Sequence, residues 1–276
     1  MTRIRPLILA LFAVAACSSN NDVTGPGTGT TLAFDVATIA SDAVAEDVDL
    51  MAGMDGEIGL LTGSALLVDG IPGRPTVSGC NFSTGRFSCP QRSQQGLTLD
   101  RTVTFLDALG ATQGAYDAQT TASIHITVRI QGDVTRGNWT GTVDRSRELT
   151  ITGLAGTETT RTVNGNGTES VSRSRHSGSN GNGTGSGNAA RSYDLVGTVA
   201  IADVIMPVRG EGVAPWPLSG TITRVITITP TAPEPGPPVS RTVVVTFNGT
   251  ANVPATINGE AFTLNLAARR AVRRGE

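Results

Sequence analysis

Three cysteines (Cys17, Cys80 and Cys89), two histidines (His125 and His176) and scattered Asp, Glu and Arg side chains are the groups in this 276-residue chain that could do chemistry. Their spacing favours structure over catalysis. The run "CNFSTGRFSC" folds about Thr84-Gly85, and its residues then pair with a constant sum of 169. Ser83 meets Arg86, Phe82 meets Phe87, Asn81 meets Ser88, and Cys80 meets Cys89. In a two-residue hairpin the pairs alternate outward from the turn, so the cysteines fall at a non-hydrogen-bonded site with Cα atoms about 4.5 Å apart. That separation suits a disulfide. A metal or redox pair is the rival reading, but metal sites need further His or Cys ligands and none lies near in the sequence.

The remaining groups form no catalytic constellation. His125 lies between Ile neighbours on the polar side of an alternating run, and His176 lies in a Gly/Ser/Asn-rich stretch. No H-E-x-x-H, G-x-S-x-G, Walker loop or C-x-x-C occurs. "GNGTGSGN" at 181–188 has the glycines of a phosphate loop but no following Lys, since all 21 basic residues are Arg. No catalytic residue, metal ligand or cofactor site is therefore assigned, and the ligand-binding residues stay unknown. Arg145 and Arg147 are the anomaly: they continue the face of Trp139, Val143, Leu149 and Ile151. Buried charge is costly unless paired. A bulge, or a sheet face emerging into water, is the simpler expectation; a polar patch able to hold an anionic ligand is the alternative.

Cys17 belongs to a different context. Arg3 and Arg5 precede a short apolar run, Leu7 to Ala13, and then Val14-Ala15-Ala16. The run is too short to span a bilayer, which argues for a signal peptide over residues 1–16. "VAAC" resembles the lipobox of bacterial lipoproteins. That resemblance covers only the first twenty or so residues. It implies that Cys17 becomes the first mature residue, diacylated on sulfur (a palmitate-type modification) and N-acylated. Two or three acyl chains would then hold the protein at a membrane, where one holds marginally. Ser18 in place of Asp resembles the sorting pattern of outer-membrane lipoproteins, on the periplasmic face or at the cell surface. The mature chain would carry 19 − 23 = −4 formal charges, so no basic surface for nucleic acid is expected.

The elements that must position these groups follow from periodicity. Residues 17–31 are small, polar and Gly-rich and read as a flexible tether. Residues 32–56 show the one helical pattern, with Val36, Ala40, Ala43, Val44, Val48 and Met51 on one stripe. Asp35, Asp42, Glu46 and Asp49 lie opposite, on a face expected to be solvated rather than a cation site. Asp35 is a candidate cap at the start, and Gly53 or Gly56 at the end. From residue 57 to 276 the period becomes two. Runs at 97–105, 123–131, 221–229 and 262–266 alternate like half-buried antiparallel strands. "INGE" at 257–260 is a hairpin turn, and 193–206 is apolar on both faces. Matches at an offset of 79, such as "GTVDR" from 141 and "GTITR" from 220, suggest two units at about 95–163 and 193–268. Residues 164–192 have few apolar side chains and read as a long loop between them.

The expected fold is mainly β: an antiparallel sheet, curled sheet, sandwich or half-barrel with one N-terminal amphipathic helix. The expected function is a membrane-anchored, extracytoplasmic, non-enzymatic binding or structural domain, its partner a membrane through the acyl chains. Carriage of a lipid or other apolar ligand in a half-barrel is the alternative. A hydrolase with dispersed carboxylates ranks below both.

Overall fold

The computed structural model describes residues 28–62, 80–94, 96–136, 139–154, 157–175, 191–208 and 215–273. Residues 1–16, read above as a signal peptide, Cys17, most of the expected tether and His176 lie outside them. Helix α1 spans Thr28–Thr62. It runs past Gly53 and Gly56, because a glycine inside a helix costs about 1 kcal/mol, too little to end one. It also begins before Asp35, which is therefore not a cap.

Fourteen strands follow: β1 (Asn81–Ser83), β2 (Arg86–Ser88), β3 (Arg92–Gln94), β4 (Leu97–Asp107), β5 (Thr112–Gln113), β6 (Thr121–Arg136), β7 (Trp139–Thr152), β8 (Thr160–Arg175), β9 (Arg191–Pro207), β10 (Ser219–Ala232), β11 (Val239–Thr246), β12 (Asn252–Ile257), β13 (Glu260–Asn265) and β14 (Arg270–Arg273). All belong to one antiparallel sheet. From β6 to β14 each strand pairs with the next, a continuous meander; β4 pairs with β6 on one side and with β2, β3 and β5 on the other. The sheet is open: among the described residues no pairing of β1 with β14 closes it.

Alternation decides which side chains face inward. Ile124, Ile126 and Val128 of β6, Ile222, Ile226 and Ile228 of β10, and Phe262 and Leu264 of β13 are buried. Their neighbours Thr127, Thr223 and Thr263 are only partly covered, as period two requires. The inner face belongs to one core with α1, whose buried Val36, Ala37, Ala40, Val44, Val48 and Met51 contribute to it. Side chains of β7, β8, β9, β10 and the β13–β14 turn all reach this one helix. Laid flat, those strands would spread over about 30 Å at about 4.8 Å per strand, against a helix about 10 Å across. The sheet must therefore curl around α1. Small residues (Ala37, Ala40, Ser41, Ala43 and Ala45, all buried) let the strands approach closely.

The hairpin at Cys80–Cys89 has the register read from its sequence: Asn81 opposite Ser88, Phe82 opposite Phe87, Ser83 opposite Arg86. Thr84 and Gly85 have φ of 52° and 77°, the positive pair that a two-residue hairpin turn requires. The disulfide closes it with Cα atoms 4.0 Å apart. Phe87 also meets Phe105 of β4 edge-on at 5.6 Å, joining the hairpin to the core.

Residues 164–175 correct the expectation of a loop. They form most of β8, which is paired along its length with β7 and β9. Every second side chain faces inward, but the inward set is Arg161, Val163, Gly165, Gly167, Glu169, Val171 and Arg173. Two glycines and three charges give that face no hydrophobic signature. Strand β9 lies between β8 and β10, and although its sequence is apolar on both faces its outer face is not covered: Val196 is 55% exposed.

Candidate functional site

The anomalous arginines mark the feature that organises this molecule. Arg145 and Arg147 of β7 point inward and are 2% and 1% exposed, so neither a bulge nor an emerging face accounts for them. What pairs with them is the helix. Arg147 Nε donates to Asp47 Oδ1 at 2.9 Å, and Arg145 Nη1 donates to Glu46 Oε2. Arg224 of β10 donates to both Asp47 and Glu169. Glu169 of β8 lies at the centre, with Arg147 Nη2 at 3.4 Å and Arg145 Nε at 3.5 Å.

The network continues along α1 in both directions. Arg173 Nη2 donates to Asp42 Oδ2 at 2.7 Å, and Arg269, from the β13–β14 turn, donates to the other Asp42 oxygen at 3.1 Å and to Asp49. Asp35 accepts from Tyr193 Oη at 2.8 Å and faces Arg191 at 3.0 Å and Arg175 at 3.5 Å. Arg175 lies over the Trp139 ring, 5.8 Å from its centroid. The helix face expected in solvent is thus turned into the sheet: of its four acids Asp35 and Asp42 are buried, Glu46 is partly buried and Asp49 is exposed. The acids do not gather on one cation; arginines hold them. Among the described residues no group of His, Cys, Asp and Glu could bind a metal.

The charges behave as a coupled set. Burial opposes the charge of Glu169, but Arg224 and Arg145 outweigh it and hold the carboxyl at about 2. Burial lowers the Arg145 guanidinium to about 9, against the pull of Glu169 and with Arg224 and Arg147 repelling it. Burial also works against Arg224, and there Glu169 and Asp47 more than compensate, raising it above its ordinary value. Burial, then the hydrogen bond to Asp35, pushes the Tyr193 hydroxyl up to about 12.

Several members were legible only in part. Asp47 sits on the apolar stripe of α1, one position beyond the acids noted there. Arg224 interrupts the inward series Ile222, Ile226 and Ile228. A charge on the buried face of a helix, and charges on the buried faces of strands, are complementary signals when taken together. Arg224 also matches Arg145 at the offset of 79, so the corresponding positions of the two stretches both present a guanidinium to Glu169. Glu169 and Arg173 were hidden in the presumed loop.

Of the other candidates, His125 is half-buried on the outer face, opposite Thr104 and Thr150. A cleft of about 290 Å³ opens beside α1 between Ile39, Trp139, Ala268 and the Asp42–Arg173–Arg269 cluster. The charged groups at this cleft already pair with each other. No described helix is long and apolar enough to cross a membrane, which leaves strands out of account.

These features define a class of architecture: an open antiparallel sheet curled around a charged, buried helix. No protein-family model, curated protein or solved structure matches the chain.

Proposed function

We propose that this protein is a lipid-anchored, extracytoplasmic lipoprotein whose β domain serves a structural or binding role rather than a catalytic one. The attachment rests on the lipobox-like "VAAC" at Cys17. The observation that carries the second half is the filling of the concave side: α1 is buried on nearly every face from Asp35 to Val48, and its acids are used by arginines of the sheet. A carrier of apolar molecules needs that space, so the same observation weighs against carriage. The ion pairs also argue against dispersed carboxylates acting in hydrolysis, because a carboxylate bound to guanidinium is a poor general acid. An outer-membrane destination follows from Ser18 as part of the same proposal.

Metabolic labelling with a palmitate analogue tests the attachment. The wild-type chain is expected to label and to fractionate with membranes, and Cys17→Ser to lose the label and become soluble. An unlabelled wild-type chain would end the proposal. Native mass spectrometry tests the second half, with a mass of the acylated chain alone expected. A co-purifying lipid in stoichiometric amount would favour carriage instead.

A further inference from the structure

We infer that the cleft beside α1 binds a small aromatic carboxylate, which deepens the binding half of the reading above and rests on it. The cleft holds about 290 Å³ and lies between Ile39 of α1, Trp139 of β7, Arg173 of β8, and Ala268 and Arg269 of the β13–β14 turn. At about 30 Å³ for each water-sized group, that is room for about ten non-hydrogen atoms. Ile39, Trp139 and Ala268 make its walls apolar, and the two guanidinia make them cationic. A ligand with an apolar body and one negative charge matches that combination.

The charges around α1 are unevenly shared, and the surplus falls at this cleft. At the middle of the helix three arginines (Arg145, Arg147 and Arg224) meet three acids (Glu46, Asp47 and Glu169). Towards the cleft, Asp42 is met by both Arg173 and Arg269, and Asp35 by both Arg175 and Arg191. Arg269 is shared with Asp49, a carboxylate that is 66% exposed. Among the described residues, four guanidinia here thus face three acids, and one further carboxylate brings this end to the balance that the middle of the helix has.

Arg269 is placed to receive it. Its side chain is 21% exposed, so a ligand can reach it. Its backbone has a φ of 50°, which glycine or asparagine would adopt at less cost. The turn therefore carries strain at the position that supplies the guanidinium. A planar guanidinium pairs with a carboxylate through two N–H groups at once. Trp139 selects the body of the ligand. The indole is fixed by Arg175 at 5.8 Å and by the Tyr193 ring at 6.2 Å, and a fixed aromatic wall favours another ring. A ring also loses less freedom on binding than an alkyl chain.

Phenylacetate, a molecule of that size, is the probe, and phenylacetamide, neutral and of the same shape, is its control. The full chain carrying Cys17→Ser bears no acyl group at that position and needs no detergent, so the result is independent of the anchor. Titration calorimetry should show one site for phenylacetate, with phenylacetamide weaker by about tenfold or more, the worth of a charge-assisted hydrogen bond. Ala268→Trp fills the cleft from an exposed turn position. It should abolish phenylacetate binding and keep the melting temperature. Arg269→Gln should weaken phenylacetate by about tenfold and leave phenylacetamide unchanged. No binding of phenylacetate at millimolar concentration, equal binding of the amide, or binding retained in Ala268→Trp overturns the inference. None of these outcomes alters the acyl labelling or the native mass, so failure of this site and failure of the reading above are told apart.

Discussion

Arg224 of β10 and Asp47 of α1, 177 positions apart, are joined by a direct hydrogen bond inside the curled sheet, and the same guanidinium also holds Glu169 of β8. One arginine thus ties the helix to two non-adjacent strands. Buried ion pairs have a desolvation cost that often exceeds their attraction, yet breaking one by removing a single partner is strongly destabilising. The network therefore makes the docking of α1 specific more than it makes the protein stable.

Arg224→Met alone should lower the unfolding free energy by about 3–5 kcal/mol, because Asp47 and Glu169 are left with a partner missing. Asp47→Leu should do likewise through Arg147 and Arg224. The two together should lower it by clearly less than the sum, with a coupling of more than about 1 kcal/mol. A double-mutant cycle by urea denaturation measures this. Additive effects would mean that the two residues do not act as a pair.

Acid should unfold the protein late. Glu169 is held at about 2 in the fold, below its ordinary value of 4.5. A carboxyl lowered in the fold contributes stability that is fully present above the unfolded value and is lost as pH falls through the folded one. The window is therefore about pH 4.5 down to 2, and the contribution is about 3 kcal/mol. Urea midpoints between pH 5 and 2.5 should fall for the wild type and fall less steeply for Glu169→Gln. Equal slopes would place the acid sensitivity elsewhere.

Salt should separate inner pairs from outer ones. Arg129 and Asp144 meet at 2.8 Å on the outer face, where both are about half exposed. Salt screens that exposed pair and screens the buried network much less. Asp144→Asn is expected to leave the melting temperature unchanged in 1 M salt. Asp47→Asn should lower it equally at 0.05 M and 1 M. A strong salt dependence for Asp47→Asn would show water reaching the network.

Breaking the disulfide should act locally. Closing the loop from Cys80 to Cys89 stabilises by about 2–3 kcal/mol at most in the chain-entropy model. Phe87, through Phe105, keeps the hairpin attached to the core. In Cys80→Ser with Cys89→Ser, amide exchange should rise in β1 and β2 and stay unchanged in β7 to β10. Loss of protection in β8 would contradict this.

The glycines of β8 should prove sensitive. A Cβ at Gly167 would collide with the Ser146 carbonyl oxygen and lie 2.9 Å from Arg147 Cδ. Gly167→Ala should therefore destabilise by about 1–3 kcal/mol, as overpacking does, and lower the yield of folded chain. A neutral effect would mean that β7 and β8 can shift apart at this point to clear the Ser146 carbonyl.

Much of the fold is written in patterns that hydrophobicity can register. Ile124, Ile126 and Val128 alternate because one side of β6 is dry, and the Cys80–Cys89 hairpin follows from its pairing sum. The helix was visible from Val36, Ala40, Val44 and Val48. What escaped was an interior made of opposite charges. A sequence in which Glu169 and Arg173 face inward beside two glycines looks the same as a solvated loop, because the signal that distinguishes them is a partner on another element, 55 positions away for Glu169 with Arg224 and 131 for Arg173 with Asp42. The acids of α1 misled for the same reason. An acidic helix face is solvated by default, and only the arginines at 145, 147 and 224, on faces otherwise apolar, indicate that this one is not.

An open sheet has two free edges, and free edges can template the growth of fibres. Here three short strands, β2, β3 and β5, share the outer side of β4, so its long edge is broken into segments of two or three residues. The opposite edge is β14, four residues long. An incoming strand would find no described stretch longer than that to pair with. Among the described residues the sheet is thus open in topology yet offers an incoming strand no long edge.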